Sequence, residues 1–141
     1  MKQTLLLLFC FATLGLASCK KETIVEDTQN KTVIFTVQPN QWVPNTNGTE
    51  YSYQFNRLPE IDNYSVATEG TLVYISYDSG KTYIQMPFVY NVDAFSYEVF
   101  QGGITLLIQS SDQQLRQALR PTSDIRVKVV IVASKDVTEQ G

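Results

Sequence analysis

Between Thr32 and Ala133 apolar and polar side chains alternate one by one, in short runs rich in Val, Ile, Tyr and Phe that are broken by Pro, Gly, Asn and Asp. A strand turns successive side chains to opposite faces, so this period suits half-buried strands and lays no apolar stripe along a helix. Runs of this length, interrupted every eight to twelve residues or about that, belong to antiparallel sandwiches and barrels. The fold class expected is therefore all-β: an antiparallel β-sandwich of about seven strands with one short helix.

The strands can be placed from their stops. Thr32 to Gln38 is the first and ends at Pro39. Glu50 to Arg57 sets Tyr51, Tyr53 and Phe55 on one face and Ser52, Gln54 and Asn56 on the other, and Pro59 follows it. Asn47-Gly48 marks a tight turn between these two strands. Thr71 to Tyr77 and Thr82 to Met86 flank Asp78-Ser79-Gly80-Lys81, where Gly80 supplies the positive φ of a short hairpin. A second hairpin joins Phe95–Phe100 to Ile104–Ser110 through Gln101-Gly102-Gly103.

Ser111 and Gln114 fit a capping box ahead of Leu115, Ala118 and Leu119, which predicts a short helix covering one sandwich end before Arg120-Pro121 stops it. In the last strand, Ile125 to Ala133, the odd positions are all apolar while the even ones change from Arg126 and Lys128 to Val130 and Val132. That pattern predicts a central strand whose later half is covered on both faces. The sandwich spans 31–134, and the polar run 135–141 reads as a disordered tail.

Ahead of the sandwich, Lys2 precedes a nearly unbroken apolar run from Leu5 to Leu16, followed by Ala17-Ser18-Cys19. The run is well short of the roughly twenty residues needed to span a bilayer and matches a signal-peptide core. Residues 1–18 read as a lipoprotein signal peptide cut just before Cys19, whose sulfur carries a diacylglyceryl thioether. Residues 19–30 then form a lipidated flexible tether. Two or more acyl chains, at about 0.8 kcal/mol per buried methylene, anchor durably where one would not. Lys20 stands where an aspartate resembles an inner-membrane retention signal, which favours the outer membrane, on its periplasmic face or at the cell surface.

This processing empties the mature chain of thiol chemistry. Cys10 leaves with the signal, Cys19 is acylated, and the chain has no histidine. The commonest general base, the commonest metal ligand and both usual cysteine chemistries go with them. A net charge of −3 without a basic stripe argues against nucleic acid as a partner.

Glu60 and Asp62 form the closest carboxylate pair, of a kind a glycosidase or a cation site uses, but nothing near them in sequence raises a pKa or adds ligands. Asn45-Thr46-Asn47-Gly48-Thr49-Glu50 lacks the aspartates and the spacing of a calcium loop and reads as a turn. No catalytic residue, cofactor or metal site is expected. The aromatic content is the better hint, because rings stack on sugars in many extracellular modules. Trp42, Tyr64, Tyr74 and Tyr90 fall in loops or on the less apolar face of a strand and are the candidate ligand-binding rings, although core filling is the favoured explanation for them.

The lipobox, a first strand followed by Trp42, Leu58-Pro59-Glu60-Ile61, the Gly70–Tyr77 strand, Met86-Pro87-Phe88 and the closing Arg120-Pro121 through Val129 occur here in an order that resembles small uncharacterised lipoproteins of Bacteroidetes. The resemblance spans nearly the whole mature domain. It implies a membrane-anchored envelope protein and carries over one functional residue, the lipidation cysteine Cys19. The expectation is a non-catalytic binding or structural module of the outer envelope, whose partners are the membrane, through Cys19, and glycans or envelope proteins. The alternative is a carbohydrate-binding accessory lipoprotein at the cell surface. Cys19→Ala should leave the chain uncut and unacylated in its native cell, and mass spectrometry finding a shortened, acylated variant would refute the lipobox.

Overall fold

The computed structural model describes residues 29–111 and 117–134. The expected signal peptide, Cys19, the expected tether up to Thr28, the central part of the expected 111–119 helix and the expected 135–141 tail lie outside the described residues.

Val, Ile, Phe and Tyr at alternate positions build strands because branched and aromatic side chains pack well on a pleated surface. In chain order these are β1 (Lys31–Val37), a 3₁₀ turn (Pro39–Gln41), β2 (Val43–Pro44), β3 (Glu50–Phe55), the helix α1 (Asn63–Thr68), β4 (Gly70–Ser76), β5 (Ile84–Gln85), β6 (Phe88–Tyr90), β7 (Asp93–Phe100), β8 (Gly103–Ser110) and β9 (Ile125–Val132). Two antiparallel sheets result, one ordered β1-β9-β4-β5 and the other β2-β3-β8-β7-β6. Their inner faces enclose one core that includes Val37, Leu58, Val73, Ile104, Leu106, Ile108, Val127 and Val129, all fully buried.

The all-β sandwich expected from the sequence is the fold observed. Nine strands rather than seven occur among the described residues, since β2 and β6 are two and three residues long and too short to show a period. The hairpin through Asp78–Lys81 is present, but its second strand shrinks to Ile84–Gln85. The strand from Ile125 lies in the middle of its sheet, between β1 and β4, as its odd-position pattern required. Val130 and Val132 are only half-buried. Cover on that face comes from register neighbours, Thr32 and Leu72 beside Val130, so the expectation of full burial on both faces is corrected there.

Gln117 to Leu119, the described end of the expected helix, are not helical. Among the described residues the α-helix that does occur is α1. Asp62 caps it, its Oδ1 accepting from the Ser65 N–H at 2.8 Å, and only Ser65 is buried. With Tyr64 and Val66 both exposed, α1 has no apolar stripe from which a helix could be read.

The β7–β8 hairpin turns at Gln101-Gly102, with Gly102 at φ 85°. Its tip is bolted to the chain after β3: the Gly102 N–H donates to the Ile61 carbonyl at 2.7 Å, and the Leu58 N–H donates to the Gly102 carbonyl at 3.1 Å. Gly103 sits in this junction with no room for a side chain. A Cβ there would collide with the Phe55 carbonyl oxygen and lie 2.6 Å from the Phe100 ring.

Register fixes two poles. Lys31, Ile131 and Thr71 share one level, so the chain enters β1, and leaves β9, at the first pole. The Tyr64 hydroxyl, donating to the Ser134 carbonyl at 3.1 Å, sets α1 there too. Val37, Ile125 and Ser76 end the strands at the opposite, second pole. Gly103→Ala should destabilise the domain by roughly 1–3 kcal/mol, the usual cost of overpacking. Thermal melts of the two chains check this, and an unchanged midpoint would mean that the junction is open.

Candidate functional site

A cleft of about 620 Å³ opens at the second pole, on the side where both sheets end in short edge strands. Tyr77 follows β4, and Ile84 lies on β5. Phe88 and Tyr90 come from β6, Phe95 from β7, and the segment from Leu119 to Ser123 closes the far wall ahead of β9. Most of the lining is apolar, with Asn91, Arg120, Thr122 and Ser123 adding polar groups.

Each wall has a local cause. Asp78 fixes the turn that presents Tyr77: its carboxylate accepts from the Ser76 hydroxyl at 2.7 Å, from the Thr82 N–H at 2.9 Å and from the Thr82 hydroxyl at 2.7 Å. Those bonds, led by the two from Thr82, hold the Asp78 carboxyl well below the usual carboxylate range. Phe88 and Phe95 stack face to face across β6 and β7, with centroids 4.6 Å apart. The Asp93 carboxylate, buried at 3 % exposure, accepts from the Leu119 N–H at 3.3 Å and ties the far wall to β7. Ala118 is buried beside that anchor, and its N–H donates to the Gly48 carbonyl at 3.1 Å. Burial, with a smaller contribution from Tyr90, pushes the Tyr77 hydroxyl up to about 12, so it stays a neutral hydrogen-bonding group at physiological pH.

The two-residue loop Asn91-Val92 between β6 and β7 is unusual. Both residues have positive φ, 48° and 65°, the geometry of a hairpin turn that favours Asn followed by Gly. Valine is branched at Cβ and is a steric outlier there. Its carbonyl is nevertheless held, accepting the Ser111 N–H at 2.7 Å. Val92 is also exposed, as are its neighbours Val89 at 64 % and Tyr90 at 66 %.

The four rings proposed from the sequence do not gather here. Tyr90 alone reaches the cleft. Trp42 is 4 % exposed within the core and tilts against Tyr53, so it fills the sandwich and is not offered to a ligand. Tyr64 lies on α1 at the first pole. Tyr74 stands on the β4 face opposite Val73 and Ile75, where Lys128 Nζ lies 4.6 Å from its ring centre and 4.2 Å from that of Tyr83.

Of the carboxylate pair, Asp62 uses its side chain to cap α1, whereas Glu60 bonds through its backbone carbonyl, which accepts the Ser65 hydroxyl at 3.0 Å. Asn45 closes the Asn47-Gly48 turn, its Oδ1 accepting from the Thr49 N–H at 3.0 Å, which is the turn expected there. Among the described residues no three His, Cys, Asp or Glu side chains converge as a metal site would need.

Tyr77, Phe88, Asp93 and Leu119 were not singled out from the sequence. They come from four separate segments, and only the Asn91-Val92 pair between two short alternating runs marked the place. The described residues thus define an antiparallel two-sheet β-sandwich with an apolar cleft between its edge strands. Searches of protein-family models, curated proteins and solved structures return no match to the chain. Val92→Gly should stabilise the domain by about 0.5–1 kcal/mol, the relief of left-handed strain less the extra backbone entropy of glycine. A lower melting temperature would show that the valine side chain stabilises the turn.

Proposed function

We propose that the chain is a lipid-anchored, non-catalytic binding module of the bacterial outer envelope, held by acylated Cys19 and engaging its partner through the cleft between β5 and β6. The observation that carries this reading is the concentration of exposed apolar side chains at that one cleft. Tyr77, Ile84, Tyr90 and Leu119 line it and are exposed, Val89 and Val92 are exposed on the β6 strand and turn beside it, and an apolar patch of this kind on a folded domain marks an interaction site. The cleft lies at the pole opposite the one where the chain enters β1, so the anchor does not turn it toward the lipid. A tether of this length spans roughly 20 Å as a coil, and β1 adds about 20 Å of strand rise.

A second reading, a carbohydrate-binding accessory lipoprotein, draws support from the Tyr77 and Tyr90 rings beside Asn91, Thr122 and Ser123. Both readings require an accessible cleft. After processing, Tyr90→Cys would hold the chain's one free thiol, with Glu98→Cys, at the exposed position of β7, as the control. A membrane-impermeant maleimide should label both variants to the same extent, either on intact cells or after the outer membrane is permeabilised. Labelling of the Glu98 variant alone would show a covered cleft and overturn the reading.

A further inference from the structure

Resting on the binding-module reading, we propose that the cleft takes an extended segment of another protein, apolar at alternate positions, which adds to the free edge of β6 as a further strand. β6 ends its sheet, so among the described residues one side of its backbone has no strand beside it. Its two-residue loop makes Tyr90 and Asp93 the pair that exchanges backbone bonds, which leaves the Val89 N–H and C=O pointing away from β7. Phe88 and Tyr90 face the cleft while Val89 does not. An added strand would therefore meet a backbone donor and acceptor at Val89 and a cavity for every second side chain.

Lys31 and Ser134, where the described fold ends, lie at the first pole, away from the cleft. A second copy fits poorly. A two-fold contact sets the same patch against itself, and a concave face against a concave face leaves the cavity empty.

A small ligand would fill the cavity yet leave Val89 and Val92 in water, since neither lines it. A strand beside β6 covers Val89 and runs past Val92. The strained Val92 also makes sense here, because glycine would relax the turn but remove an apolar contact from its rim.

The test uses the full acylated chain in lipid nanodiscs. An array of heptapeptides with Val, Leu, Phe or Tyr at alternate positions and Thr between them supplies a binder, whose affinity is then measured by fluorescence anisotropy. N-methylation of the amides on one edge of that peptide should weaken binding at least tenfold, because it deletes the donors that pair with Val89. Val89→Pro should do the same with little change in melting, since edge strands tolerate proline where the N–H faces outward. Equal binding by the N-methylated peptide overturns strand addition even if the proline variant fails to fold. Binding of a β-glucan hexasaccharide or of dodecanoate, with no peptide bound, overturns it while leaving the binding-module reading intact. No binding by any of these probes overturns both.

Discussion

The structure depends on β9 being inserted between β1 and β4. Neither of those strands touches the other: β1 pairs along all seven of its residues with β9, and β4 pairs with β9 on the opposite side. Ile125, Val127, Val129 and Ile131 give this strand its buried face, each at 2 % exposure or less. A strand from the end of the chain thus completes a sheet begun at residue 31. The loop-closure entropy of the two β9 pairings must be offset by the core contacts they bring, and long-range pairing of this kind slows folding.

The second sheet joins the local pairings β2–β3, β6–β7 and β7–β8 through one long-range pairing, β3–β8, and the cleft follows from how the two sheets end. β7 and β8 pair through a two-residue turn, and the bolt from Gly102 to Ile61 carries the chain on to Asp62, which starts α1. On the side away from β1 and β2, the sheets finish in β5 and β6, two and three residues long. Strands that short cannot close the sandwich edge against each other. Asp93 and Ala118 pull the 118–123 segment inward and narrow the gap without filling it. The cavity is what remains between two truncated edges and one tethered loop.

This explains which parts were legible in the sequence. β1, β3, β4, β7, β8 and β9 carry six or more alternating residues each, enough for the period to appear, and the central place of β9 showed in its unbroken odd-position run. Trp42 looked like a ligand ring because it stands alone after a strand, but a loop residue can fold back, and only the path through Gln38–Gln41 turns it into the core. The cleft was hidden for the opposite reason. Its walls come from positions 77, 84, 88–95 and 119–123, and no local pattern records that these four segments meet. What the sequence did hold was a valine where the Asn91 turn favours glycine, a local misfit whose meaning depends on the surface beside it.

β1 offers a longer free edge than β6, and the contrast shows why an edge alone does not make a site. Seven residues of β1 lie at the margin of their sheet. Its inward side chains are already used: Phe35 stacks on Phe55 at 4.0 Å between ring centres, and Val37 is fully buried. A strand added to β1 would gain backbone bonds and nothing for its side chains to enter, and Lys31 at its start puts a charge on that margin, a common guard against edge pairing. β6 has the reverse balance, with few backbone groups but a cavity beneath them. Net hydrogen-bond exchange with water contributes only about 1 kcal/mol per bond, whereas burying a Phe, Leu or Val side chain contributes roughly 1.5–3 kcal/mol. By those magnitudes the side-chain cavity, more than the length of free edge, favours β6 for the proposed strand addition, and the short strand above it would set the direction of that strand.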